Sequence, residues 1–224
     1  MLTDYQTLVT SFVRDDATRI TPGELDGAIG LAVLKYSAAA PRPRVADLTN
    51  VSGMVIALPA AWEADFSAMT SLEHPVGSVP PVLLDGDAWA FYRDIDGLKI
   101  MLAASLPAGS TVRATFTARH AVSATEDTIP VGHREPVAKY AAALLCEQLA
   151  AFYANDTDST IAAGMAQGQT KSQAYAARAR DYRKAYIDAI GVEDKSAQPA
   201  CAVAGLKTRD SDGQSRFFHP RHRQ

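Results

Sequence analysis

The hydrophobic period of this chain changes twice, and that limits the fold more than any single motif does. Apolar residues recur at helical spacing over the first part of the chain, alternate or cluster in short runs from Arg44 to His120, and return to helical spacing after Pro136. A helix-period pattern does not settle into a sheet, nor an alternating pattern into a helix. The expected class is therefore α+β: a helical bundle core drawn from both ends of the chain, with a small antiparallel β-meander inserted between them.

Local signals place the elements. Thr3 and Gln6 have the spacing of a capping pair, and Tyr5, Leu8, Val9, Phe12 and Val13 follow as one apolar stripe. Thr21 is a good N-cap, Pro22 suits the first helical position, and Glu24 completes the box. Leu25, Ile29, Ala32, Val33 and Tyr36 supply the buried face of that second helix, which Pro41 and Pro43 stop. Between Arg44 and His120, Asp85-Gly86 and Asp96-Gly97 sit between apolar runs as hairpin turns. Val112, Ala114, Phe116 and Ala118 alternate with polar residues, which predicts a strand covered on one side only.

After Pro136, VAKYAAALLCEQLAAFY is apolar around most of its circumference, so it should be the central, Ala-rich helix. Thr170 and Gln173 form another capping pair, Gly191 is placed to end the last helix, and Tyr175, Ala179, Tyr182, Tyr186 and Ala189 form its stripe. Beyond Gly191 there is no period, and the ending RFFHPRHRQ reads as an extended or disordered C-terminal tail. The expected organisation is thus a helix pair over 1–41, an inserted meander over 42–135, two further core helices over 136–191 and the tail over 192–224.

Charge is uneven. Residues 1–160 hold 11 Lys/Arg against 19 Asp/Glu, whereas residues 161–224 hold 11 against 6, within a chain of net charge −3. An acidic body with a basic C-terminal arm suits an acidic partner, although a solvated helix that merely carries arginines has the same composition. Two cysteines, Cys146 and Cys201, cannot build a disulfide scaffold and fit a reducing cytosol. No apolar run approaches the ~20 residues of a membrane span, and the first residues lack a secretory layout, so no membrane partner is expected.

Catalytic and ligand motifs fail one by one. His74, His120, His133, His219 and His222 form no HExxH and no Cys/His cluster. Gly164, Gly168, Lys171 and Ser172 have the wrong spacing for a phosphate loop. Asp156 and Asp158 suggest a calcium loop, but Ile161 and Gln167 stand where glycine and glutamate are needed. There is no G-x-S-x-G, and the Asp pairs at 85/87 and 94/96 flank turns. The chain is expected to be no enzyme and to hold no metal and no cofactor. A nucleic-acid-binding regulator using the basic helix 171–190 remains a rival, since clustered cations bind phosphate and aromatics stack on bases.

The order of elements, together with the stretches LVTSFVRDDATRITPGELDGAIGLAVLKYSAAAPR, SLEHPVGSVPPVLL, AAALLCEQLAAFYANDTDST and KSQAYAARARDYRKAY, resembles the head-to-tail adaptor (connector, or head-completion) proteins of tailed bacteriophages. The resemblance spans most of residues 5–190. It implies a virion structural protein made in the host bacterial cytoplasm and located in the neck. There a homo-oligomeric ring of twelve copies would dock beneath the portal protein and extend the channel through which genomic DNA leaves without specific binding. The ring would offer a platform to stopper or tail proteins. A stopper or tail-terminator protein is the nearest rival, and those are usually β-rich without a long helical core. Two surfaces are candidates: Arg209, Arg216, Phe217, Phe218, Arg221 and Arg223 as a portal-gripping arm, and Arg178, Arg180, Arg183 and Lys184 as a subunit interface.

Overall fold

The computed structural model describes residues 1–15, 18–49, 53–154 and 170–191. Helices α1 (Leu2–Val13) and α2 (Pro22–Ala39) come first, then strands β1 (Arg42–Thr49), β2 (Gly53–Ala57), β3 (Met69–Glu73), β4 (Trp89–Asp94), β5 (Gly97–Leu106) and β6 (Thr111–Ala118). Helices α3 (Val131–Ala154) and α4 (Lys171–Ile190) follow. The tail over 192–224 lies outside the described residues.

The helix ends follow local chemistry. In α2, Thr21 N donates to Glu24 Oε2 at 2.7 Å and Glu24 N donates back to Thr21 Oγ1 at 3.3 Å, a reciprocal capping box. Thr170 and Gln173 do the same for α4, and Gly191 ends it at φ 69°, a left-handed conformation that glycine adopts without strain. The first helix departs from expectation. Its N-cap is Met1, the terminal ammonium pairs with Asp4, and Thr3 lies inside the helix. Gln6, freed from capping, donates instead to Asp26 Oδ1 of α2 at 2.6 Å. The helix α3 begins at Val131 and carries Pro136 within it. As the sixth residue of the helix it lies past the four N–H groups that have no helical partner, so it removes one ladder bond, to Gly132 O.

The expected helical bundle core with a meander appended to it is corrected. Among the described residues the chain is an α+β mix of four helices and two three-stranded antiparallel sheets, ordered β1-β6-β3 and β2-β5-β4. The physical reason is that the strand region buries enough to own a core. Leu72, Val112, Ala114 and Phe116 from the first sheet join Ile56, Ile100 and Leu102 from the second in one buried cluster. Nor is the connectivity that of a meander, because β6 pairs with β1 along its whole length, Arg42 opposite Ala118 and Thr49 opposite Thr111. The Asp96-Gly97 turn does join neighbours, β4 and β5, with Gly97 at φ 123°. Asp85-Gly86 does not. Pro80 and Pro81 remove two donors from the run before it, so only an isolated bridge from Leu83 to Glu73 forms there.

The helical core gathers on α3, whose Val137, Ala138, Ala141, Ala142, Leu145, Cys146 and Leu149 are buried against α1, α2 and α4. Between helices and sheets the joint is polar. Buried Ser37 donates to Val33 O at 2.7 Å and accepts from His120 N at 2.9 Å. The His120 ring lies between Thr128 O at 2.9 Å and Ala40 O at 3.0 Å.

Burial of acidic protons in the helical core sets a pH limit. Burial pushes the Cys146 thiol from its ordinary 9.0 up to about 11, and the Tyr186 phenol from 10.0 up to about 12. Tyr5 and Tyr36 are raised for the same reason. Each group keeps its proton in the folded protein at a pH where the unfolded chain has lost it. Their stabilisation is therefore complete below about pH 9 and falls as pH rises toward the folded values. Urea midpoints at about pH 8 and about pH 10.5 should show the chain less stable at the higher pH, whereas equal midpoints would contradict this assignment.

Candidate interface on the last helix

Helix α4 turns Ala179 and Tyr186 fully inward, with Tyr175 and Tyr182 partly buried beside them. Tyr186 sits 4.8 Å from the Tyr140 ring of α3. Tyr182 lies 5.7 Å from the Phe12 ring and donates its hydroxyl to Phe12 O at 3.0 Å. Ala189, the last member of the expected stripe, is exposed. These tyrosines are packing residues of the helical core, so the face they form is turned away from any base that would stack on it.

The four basic residues singled out on α4 divide into two pairs. Arg178 donates to Val13 O at 3.4 Å, satisfying a carbonyl at the end of α1, and lies 5.7 Å over the Tyr175 ring. Arg183 pairs with Glu147 of α3 at 2.6 Å and lies 6.0 Å from the Tyr140 ring. Both hold α4 onto its own subunit. Arg180 and Lys184 are exposed, one helical turn apart, and make no ion pair among the described residues. Among the described residues they are the two of the four that no hydrogen bond, ion pair or ring contact engages. The candidate arm, Arg209, Arg216, Phe217, Phe218, Arg221 and Arg223, lies outside the described residues.

Two further surfaces escaped the sequence patterns. On α2, Leu31 and Leu34 are 58% and 47% exposed, beside a groove of about 460 Å³ lined by Glu24, Gly27, Leu31, Leu144 and Glu147. The signal was available, since Leu31 and Leu34 lie off the buried stripe of a helix that is apolar nearly all round. The outer face of the sheet β2-β5-β4 carries Val55, Met101 and Ala90 in one row across the strands, with Tyr92 opposite Lys99 in the next. Apolar side chains exposed side by side are the kind of surface that contacts with other chains cover.

Histidine chemistry is taken up within the fold. His74 Nδ1 is 3.1 Å from Thr111 O and His133 Nδ1 is 2.7 Å from Tyr36 Oη, while His219 and His222 lie outside the described residues. Among the described residues no three His, Cys, Asp or Glu side chains gather closely enough to hold a metal ion. No protein-family model and no curated protein matches this chain.

The division of the basic residues is open to measurement. Arg183→Ala should cost about 0.2–1 kcal/mol, the range of a partly exposed ion pair, while Arg180→Ala and Lys184→Ala should leave stability within about 0.5 kcal/mol. Chemical denaturation of the three variants would show this order, and a larger loss at Arg180 or Lys184 would mean that they pack inward.

Proposed function

We propose that this chain is a virion structural subunit, an adaptor that forms a ring between the portal of a phage head and the tail or stopper and extends the DNA exit channel. The observation that carries the proposal is the coexistence of several outward surfaces with binding character on one subunit. Arg180 and Lys184 project from α4, Leu31 and Leu34 from α2, and Val55 and Met101 from the outer sheet. A ring subunit in a stack meets sister copies on two sides and other proteins above and below, so it needs several such surfaces. The resemblance in the quoted stretches points the same way. Excess acid in the body suits a channel that must not hold passing phosphate.

One observation favours the rival within the same assembly. A core shared by two sheets makes the chain richer in independent β structure than an adaptor with a small meander, which suits a stopper or tail terminator. Against it stands the 24-residue α3, a long helix at the centre of its own core. The two differ in what they dock onto: an adaptor binds the portal of a bare DNA-filled head, a stopper only a head that already carries its adaptor.

Purified chain mixed with bare DNA-filled heads should co-sediment with them, and a chain ending at Leu206 should lose at least tenfold in docking because it lacks Phe217 and Phe218. Failure of the full chain to dock would overturn the adaptor assignment. Normal docking of the shortened chain would remove the arm while leaving the adaptor in place.

A further inference from the structure

We propose that the exposed face of α2 is the seat for the exposed face of α4 from a second copy of this chain. This rests on α4 being a subunit-facing surface and supplies its counterpart.

The α2 face is built to receive something. Leu31 and Leu34 stand more than two-fifths exposed, at 58% and 47%. Grooves flank them on both sides, about 460 Å³ against α3 and about 430 Å³ against the 120–122 segment. Gly27 and Gly30 lie on the same stripe, where an added Cβ would meet nothing within 4 Å. Packing inside the subunit therefore gives no reason for glycine in a helix interior, where it is unfavourable. Close approach of a helix from outside does. Glu24 and Asp26 flank the N-terminal half of this stripe; each accepts a hydrogen bond within its own subunit, from Thr21 and from Gln6, and both stay exposed to solvent.

The α4 face is its complement in charge and in spacing. Arg180, Lys184 and Ile187 follow the i, i+4, i+7 pattern of one helix face, and Ile187 is 47% exposed. Cations occupy the N-terminal part of this face and the apolar residue the C-terminal part. On α2 the acids come first and the leucines after. From Glu24 to Leu31 and from Arg180 to Ile187 the step is the same, seven residues or about 10.5 Å along a helix. Laid parallel, α4 of one copy thus brings Arg180 to Glu24 and Asp26 as Ile187 meets Leu31, with Lys184 over the glycines. The two faces are different surfaces of one subunit, so the contact is heterologous and repeats from copy to copy. It closes into a ring if the rotation permits and runs on as a filament if it does not.

Cross-linking tests the register. In a Cys201→Ser background, differently tagged Leu31→Cys and Ile187→Cys chains are mixed and oxidised. A disulfide between the two chains should form at least tenfold more than in either chain alone. Arg180→Glu with Lys184→Glu in the Ile187→Cys chain should abolish it, and adding Asp26→Lys to the Leu31→Cys chain should restore a substantial part. Gly27→Gln with Gly30→Gln should raise the thermal midpoint, by about 2–4 °C for each glycine replaced, while lowering self-association tenfold. That pairing of gain and loss cannot come from misfolding. A mixture that cross-links no better than the single chains at the highest soluble concentration would overturn the interface, as would glycine variants that associate normally. Docking onto heads without this cross-link removes the interface and spares the adaptor; the cross-link without docking does the reverse.

Discussion

Burial of α3 organises this protein. Half of its buried positions from Val137 to Leu149 are alanine, with Val137, Leu145, Cys146 and Leu149 as the larger fillers, and α1, α2 and α4 all pack against it. Alanine lets neighbouring backbones come close, which makes the fit sensitive to any change in side-chain volume. It also decides what stays outside. Each of the three surrounding helices spends one face on α3, so the opposite faces of α2 and α4 are left to solvent or to other chains. The exposed Leu31, Leu34 and Ile187 follow from this arrangement.

The sheets form a second centre, and hydrogen bonds help to tie the two together. Ser37 and His120 tie the end of α2 to the chain that leaves β6. Asp127, with its side chain 1% exposed, lies 2.9 Å from the partly exposed Arg134, and the pair works through charge because its geometry is not that of an aligned hydrogen bond. Tyr5 of α1 borders the same group, since the Asp127 charge raises its phenol alongside burial. Such a pair stabilises little in net terms, yet removing Arg134 would strand the buried Asp127 carboxylate. Its presence at the joint fixes how α1 and the start of α3 meet the segment between them.

Function rests on which cations the fold uses up. Arg178 and Arg183 have the same chemistry as Arg180, but their partners are Val13 O on α1 and Glu147 on α3. Clustered arginines on one helix therefore overstate its outward charge, and the surface left for a partner is Arg180 and Lys184 with Ile187 beside them. That smaller, mixed surface suits a protein neighbour, where an apolar anchor and a few charges set register. A duplex asks instead for an extended run of cations.

Much of this was written locally and was legible. The Thr21 and Thr170 boxes, Gly191 and the Asp96-Gly97 hairpin depend on neighbours within a few residues, so the sequence carries their geometry directly. The alternation of Val112, Ala114, Phe116 and Ala118 likewise announced which side of β6 is covered. Pairing β6 with β1 was not legible, because nothing local in residues 42–49 specifies a partner some seventy positions away. The same holds for the second core, whose members come from both sheets. It holds too for the division of the α4 cations and for the exposed side of α2. Composition and period determined that helices and strands would coexist and where most of them begin and end. Only the packed chain decided which faces meet, because burial is settled by contacts between distant segments and not by the pattern of any one of them.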